Sequence, residues 1–216
     1  MYAFILSIAL VQLLFIVILV ITSLVTQIAI KEISLGLGPK LLGRQWGQTH
    51  VQIKLIPLVS HVSFYETPNC PGYQKHLTFN HLLPLHKIGL LISVPLWLMV
   101  AAAFSQTTPL TSPFDIVSII VGGALSPIDE GSQYLAVLFQ AVKEQPALIT
   151  FSETLWFYGI LQLFPVLPFM GGQMLTSLIP SRVSQNLKDK LLQFSFLIGT
   201  LLFVLWVSAL VMFWIK

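Results

Sequence analysis

Charged residues are scarce in this sequence. Asp, Glu, Lys and Arg together make up 9% of its 216 residues, whereas hydrophobic residues make up 56%. A water-soluble domain carries about a quarter charged residues, because they cover its surface. The shortage excludes a protein that is mainly exposed to water, and we expect the lipid bilayer to contact much of the chain.

Cysteine and several enzyme motifs are also missing. Cys70 is the only cysteine, which excludes an internal disulfide and a Cys-x-x-Cys zinc pair. Neither a Gly-x-Ser-x-Gly nucleophile motif nor a phosphate-binding glycine loop occurs. The net charge of +3 comes from scattered basic residues without interleaved stacking aromatics, so we expect no nucleic-acid partner.

Long apolar stretches dominate what is present. Residues 1–30 hold no charged side chain, and this stretch is too long for the apolar core of a signal peptide. Pro95 predicts a kink in the second stretch, and Glu153 lies inside the third. We therefore predict an α-helical polytopic membrane protein, with a single membrane domain over residues 1–216. Its roughly four transmembrane helices are expected at 3–26, 88–104, 147–164 and 191–215.

Basic residues are unevenly distributed among the loops between these spans. Loop 31–87 holds six Lys and Arg residues, and loop 165–190 holds three. Loop 105–146 holds only Lys143. By the positive-inside rule, loops 31–87 and 165–190 are predicted to be cytoplasmic. Loop 105–146 and both termini are then expected on the non-cytoplasmic side.

The first cytoplasmic loop carries a pattern typical of β-structure. Polar and apolar residues roughly alternate from Thr49 to Phe64, which predicts a small β-element there. Pro57 is expected to break this element or to mark its edge. An edge strand could dock an extended peptide, and a loop hairpin without a partner is the alternative.

Two further features concern the loops. Gly36, Gly38 and Pro39 predict a sharp turn after the first span. In the external loop we expect a short strand at 116–121 and an amphipathic helix at 132–143.

Three segments, in this order, resemble the site-2 protease family of intramembrane zinc metalloproteases. Residues 34–40 read SLGLGPK, like the family's S-x-G-x-G-P-K turn after its first helix. Residues 54–62 read KLIPLVSHV, which is similar to its R-L-I-P-L-G-G-Y-V strand. Residues 163–172 read LFPVLPFMGG, which is similar to its N-L-L-P-I-P-x-L-D-G-G segment. The resemblance implies a site-2-protease-like helical core.

The resemblance also implies a zinc site, and this sequence departs from it. Family members supply two His ligands and a catalytic Glu from H-E-x-x-H on the first helix, and an Asp from the L-D-G-G segment. Counting back from the glycine turn places the first motif at residues 15–19, where Phe15, Ile16 and Leu19 stand. Met170 stands at the Asp position, and Gln162 stands where the family has an Asn. We therefore expect no cofactor and no catalytic residue.

A relocated site is the alternative. All five histidines lie in the first cytoplasmic loop, and His76, His81 and His86 with Cys70 offer one candidate zinc set. Their spacing of five does not put them on one helical face. The plainer interpretations are that the loop histidines are hydrogen-bonded or solvated and that Glu153 is a carboxylate at the membrane–water interface or near a helix N-terminus.

The sequence thus predicts a catalytically inactive site-2-protease-like protein. We expect it to be a binding, structural or regulatory subunit of a membrane protein complex, with other integral membrane proteins or transmembrane segments as partners. The bacterial cytoplasmic membrane is the expected location. The alternatives are an active intramembrane metalloprotease with non-standard ligands, and a transporter or channel subunit. The candidate partner- or peptide-binding residues are Val51, Ile53, Leu55, Pro57, Gln162, Pro165, Pro168, Gly171 and Gly172.

Overall fold

The computed structural model describes residues 2–65, 78–79, 82–105, 111–167, 169–179 and 184–215. Most of these residues are helical. A π-helical turn, Pro127–Gly131, lies between the third and fourth α-helices. In chain order the α-helices and strands are α1 Tyr2–Thr26, β1 Ile30–Trp46, β2 Thr49–Phe64, α2 Pro84–Ser105, α3 Pro113–Leu125, α4 Ser132–Glu144, α5 Ala147–Gln162, α6 Met170–Leu178 and α7 Gln185–Ile215.

Three helices are long and apolar enough to cross a membrane. They are α1, α2 and the Asn186–Ile215 part of α7, and they agree with three of the predicted spans. Helix α5 has 16 residues, about 24 Å at 1.5 Å per residue, which is shorter than a hydrocarbon core of about 30 Å. The predicted total of four spans is therefore not confirmed.

Helices α1, α2, α5 and α6 surround the main hydrophobic core. Its most deeply buried side chains include Leu91, Val94 and Leu98, all on one side of α2. Helix α5 approaches α2 closely beside Pro95. A methyl group on Gly159 would lie 3.2 Å from the Pro95 carbonyl oxygen and 2.8 Å from Met99 Cγ. The absence of a side chain at Gly159 thus permits this helix contact.

Strands β1 and β2 form an antiparallel sheet in which the chain folds back on itself. Residues 42–46 pair with 49–53 around a turn at Gly47, whose φ is 60°, and residues 30–35 pair with 60–64. Residues 32–35 also pair with residues 50–53, and these two segments run parallel to each other. Residues 50–53 therefore lie between two paired segments.

The register agrees with two expectations about the sheet. Residues 32–35 run parallel to 50–53, whereas 42–46 run antiparallel to the same stretch, so the chain reverses direction between residues 35 and 42. The turn predicted at Gly36, Gly38 and Pro39 lies in this reversal, where Gly36 has a φ of 95°, a conformation that glycine adopts without steric cost. Residues 60–64 run antiparallel to 30–35, so the chain also reverses between residues 53 and 60, around Pro57, which was expected to break the element or mark its edge.

The second layer consists of α3, the π-helical turn and α4, packed against α7. Trp206 Nε1 on α7 donates a hydrogen bond to the Ile120 carbonyl at 3.0 Å. The strand predicted at 116–121 is wrong, because these residues belong to α3. Pro113 in its first turn pre-sets a helical φ. The helix predicted at 132–143 is confirmed as α4.

Candidate functional site

The face of α1 that points into the core carries the positions predicted, from motif spacing, to correspond to the family's first zinc ligands. Phe15 and Leu19 are 1% and 0% exposed, and Ile16 is partly buried against the same core cluster. Their spacing of four residues puts Phe15 and Leu19 on one helical face. The two histidines of an H-E-x-x-H motif need this same spacing, but here the two positions carry an aromatic and an aliphatic side chain.

The turn between α5 and α6 brings Met170, which is predicted to stand at the family's Asp position, to the same core. Helix α6 begins at Met170, which is 3% exposed. A methyl group on Gly171 would overlap the carbonyl oxygens of Leu163 and Phe164. One on Gly172 would lie 2.5 Å from the Val166 carbonyl carbon. The two glycines therefore let α6 begin directly against the preceding turn.

Hydrogen bonds hold this turn in place. The Met170 backbone N–H donates to Gln162 Oε1 at 3.4 Å, and the Leu167 N–H donates to Ser195 Oγ on α7 at 2.9 Å. The Gln162 side chain thus binds the backbone of its own turn. Pro165 is exposed on this turn, and Pro168 lies outside the described residues.

Phe15, Leu19 and Met170 meet in one core cluster. The ring of Tyr158 on α5 packs edge-on against Phe15, with ring centroids 5.9 Å apart and an interplanar angle of 87°. The structure thus brings the predicted vacated positions together in space, although they lie on helices far apart in sequence.

A buried polar group that the sequence did not predict adjoins this cluster. The Tyr158 hydroxyl donates to Gln12 Oε1 at 3.1 Å, and its other hydrogen-bonding partners are the Gln162 side chain and the Ser60 backbone. Gln12 and Gln162 are both 3% exposed. Gln12 is the one amide or charged side chain in α1. A strongly polar side chain within an apolar span needs a partner, and this signal could have identified Gln12.

The Tyr158–Gln12 hydrogen bond makes a testable contribution to stability. Tyr158→Phe keeps the ring contact with Phe15 but removes the hydroxyl, so the free energy of unfolding should fall by about 1–2 kcal/mol. Denaturant unfolding in detergent measures the difference. Tyr134→Phe on α4 is the control, and a change within about 0.5 kcal/mol is expected there. Equal losses for the two variants would contradict the contribution of the Gln12 bond.

The predicted partner-binding residues on the sheet have different environments. Val51 pairs with Ile33 and Arg44, and Ile53 pairs with Leu35 and Leu42. These two residues therefore do not lie at a free edge, which corrects the expectation that this stretch is an edge strand. Within the described part of the chain, residues 42–46 pair on one side only.

One face of this hairpin is apolar and exposed. Leu42 and Ile53 are directly opposite each other across the two strands, and Leu55 lies two positions further along β2. The side chains of Leu42, Ile53 and Leu55 are 66%, 43% and 55% exposed, and Trp46 near the turn is 82% exposed. We call these four residues the hairpin face. Its exposed apolar surface is typical of a site that contacts a partner or lipid.

The core cluster does not provide zinc ligands. Zinc in proteins is bound by Cys sulfur, His nitrogen or carboxylate oxygen. Phe15, Leu19 and Met170 supply aromatic and aliphatic carbon and a thioether. Among the residues that the structure describes, no three His, Cys, Asp or Glu side chains are grouped so that they could hold a metal ion. The residues present at the family's zinc position therefore do not fit the metal.

The other candidate metal ligands and catalytic groups that the structure describes are exposed and do not form a site together. His50 and His86 are exposed, and His76, His81 and Cys70 lie outside the described residues, so the alternative loop site stays a hypothesis. Glu153 is exposed on α5, where Gln145 Nε2 donates to its carboxylate at 3.4 Å.

Comparison with known protein families agrees with the resemblance that the sequence motifs indicate. The family model for Peptidase family M50 matches residues 9–206. No curated protein matches the chain. The matched region includes the α1 face, the sheet and the turn before α6. The chain therefore belongs to peptidase family M50, the membrane-embedded site-2 protease family.

Proposed function

We propose that this chain is a non-catalytic member of the site-2 protease family. In this proposal it binds other integral membrane proteins or transmembrane segments, as a structural or regulatory subunit of a membrane complex. The observation that carries the proposal is the packing of Phe15, Leu19 and Met170 into one buried cluster. Metalloprotease chemistry needs zinc ligands at these positions, and aromatic, aliphatic and thioether side chains do not supply the Cys, His or carboxylate ligands that zinc takes in proteins.

The position of the catalytic base supports the same conclusion. Zinc proteases of this type use the Glu of H-E-x-x-H to take a proton from the attacking water. Ile16 stands at this position and packs partly buried against the core. Its side chain can neither accept a proton nor orient a water molecule. A metal bound elsewhere would therefore still lack this base.

The hairpin face supports a binding role. Four apolar side chains are exposed together on one side of the hairpin. Beside them, residues 42–46 have an unpaired backbone edge within the described residues. An extended segment can add to such an edge through main-chain hydrogen bonds, while its side chains contact the apolar face. We propose an apolar, extended or transmembrane segment of another protein as the partner.

The basic loops supply the proposed orientation. Because loops 31–87 and 165–190 carry most of the Lys and Arg residues, we place the hairpin and the α5–α6 turn on the cytoplasmic side. In this proposal α5 is the fourth span, which puts both termini on the non-cytoplasmic side, and the bacterial cytoplasmic membrane is the proposed location.

Mild solubilisation followed by pull-down and metal analysis of the same sample tests this function. We expect membrane proteins to co-purify in fixed proportion and the zinc content to be far below one atom per chain. One tightly bound zinc per chain, together with peptide cleavage, would overturn the proposal in favour of an active protease with unusual ligands. Solute or ion flux through vesicles that contain the chain alone would favour a transporter or channel subunit.

A charge placed in the hairpin face should prevent partner binding. Leu42→Lys puts an ammonium group into an apolar contact, and loss of a central contact of this kind weakens an interface by about 2 kcal/mol or more, roughly thirtyfold. Quantitative pull-down measures the recovery of the partner. Leu83→Lys is the matched control, because Leu83 is 65% exposed and Leu42 is 66% exposed. If both variants recover the partner as well as the unmodified chain does, the hairpin face is not the binding surface.

A further inference from the structure

An apolar groove lies between the beginning of α1 and the end of α4, away from the core cluster. Its volume is about 190 Å³, and its lining surface is entirely apolar. The lining residues are Phe4, Ile5, Ile8, Phe139, Val142 and Lys143. An apolar cavity of about 150 Å³ is large enough to bind benzene, so this groove has room for a section of hydrocarbon chain.

The groove is partly open at the protein surface. Ile5 is 58% exposed at its rim, whereas Val142 at its base is 9% exposed. Phe139 stacks on Phe213 of α7 with ring centroids 5.0 Å apart, and Trp214 packs edge-on against Phe139. A Trp side chain near the end of an apolar helix, such as Trp214, is typical of the membrane–water interface. The groove therefore begins near the headgroup level and is open to the acyl region.

Lys143 gives this groove a charge preference. It stands in the last turn of α4, it is exposed, and it is the one charged residue in the lining. The neighbouring Glu144 accepts a hydrogen bond from Gln140 at 3.0 Å. Lys143 forms no ion pair with any carboxylate among the described residues. Because the groove surface is apolar, Lys143 lines it with its aliphatic stem, and its exposed ammonium group is available to an anion beside the groove.

We propose that this groove binds one acyl chain of an anionic phospholipid, with the lipid phosphate at the Lys143 ammonium group. The apolar lining matches the hydrocarbon chain, and the single cation matches the headgroup charge. A second protein would need a contact of about 1,000 Å² or more, whereas a groove of 190 Å³ admits one hydrocarbon chain. The site is independent of the hairpin face and of the proposed loss of catalysis.

Native mass spectrometry of the full chain tests the proposal. The chain is released from vesicles of phosphatidylglycerol and phosphatidylcholine in equal amounts, and the retained lipid is counted. We expect one phosphatidylglycerol per chain to remain after most other lipid is lost. Lys143→Gln should weaken this retention about fivefold, since one lysine contributes about 1 kcal/mol at an anionic membrane surface. Lys190→Gln, at an exposed lysine of α7, should leave it unchanged.

Filling the groove tests the contact with the acyl chain. Ile5→Trp places a large side chain at its rim and should remove most of the retained lipid. Ile21→Trp is the matched control on the same helix, because Ile21 is 55% exposed and lies outside the groove. Two results would overturn the proposal: equal lipid retention in all four variants, or equal retention of phosphatidylcholine and phosphatidylglycerol by the unmodified chain. Photocrosslinking from position 5 to a protein would also overturn it.

Discussion

Gly171→Ala is expected to destabilise the folded protein strongly. The added methyl group overlaps the backbone carbonyl oxygens of Leu163 and Phe164. Backbone atoms in a packed turn cannot move aside as the end of a flexible side chain can. Overpacking of this kind costs about 1–3 kcal/mol and occasionally more, a large share of a total stability of about 5–15 kcal/mol. Thermal unfolding in detergent, read by size-exclusion recovery, measures the loss.

Gly89 provides the matched control for this prediction. It is a helical glycine in α2, and a methyl group there would meet no atom within 4 Å. Gly89→Ala should therefore leave stability unchanged or raise it by up to about 1 kcal/mol, because alanine favours the helix. If Gly171→Ala unfolds at the same temperature as Gly89→Ala, α6 does not begin against the preceding turn as described.

Met170→Asp should also be strongly destabilising, for an electrostatic reason. Met170 is 3% exposed and is surrounded by apolar side chains of the core cluster. A carboxylate buried there without a cation would cost several kcal/mol, or would have to take up a proton. Met170→Leu keeps the volume and should cost less than about 1.5 kcal/mol. The two unfolding temperatures, measured with and without zinc, check the expectation.

Restoring the whole ligand set should stabilise the protein in the presence of zinc, whereas Met170→Asp alone should destabilise it. With Phe15→His, Ile16→Glu, Leu19→His and Met170→Asp combined, three ligands and the base occupy the positions that converge in the core. We expect this variant to bind one zinc ion and to gain thermal stability from it, since binding to the folded state alone stabilises it. Met170→Asp by itself should gain nothing from zinc. A folded fourfold variant that binds no zinc would show that the positions are not spaced as in an active protease.

Hydrophobic length allowed the long helices to be predicted, because about 20 apolar residues in a row have few other stable arrangements. Helix α5 is shorter than predicted, since Leu163 ends it before the proline turn. The Ile- and Val-rich run at 116–121 has the composition of a β-strand of a water-soluble protein. In the structure it is helical, because a helix satisfies its own backbone hydrogen bonds in an apolar environment.

The strand pairing and the Tyr158–Gln12 hydrogen bond were harder to predict than the helices. Alternation indicated β2, but the second set of partners of residues 32–35 depends on contacts between distant segments that no local pattern contains. The convergence of Phe15, Leu19 and Met170 followed from motif spacing in a known family plan. The contact between Tyr158 and Gln12 did not, because neither residue belongs to a motif.

The Gln12–Tyr158 hydrogen bond has a consequence for biosynthesis. Its two residues are separated by 146 positions, so α1 is synthesised long before its partner exists. At translation rates of about 5–20 residues per second, the gap is on the order of 10 s. During this interval the nascent chain holds an amide in its first apolar helix without the hydroxyl that later binds it. Chains truncated before Tyr158 should therefore be preferred substrates for membrane quality-control proteases, and Gln12→Leu should lengthen the lifetime of such fragments in pulse–chase labelling.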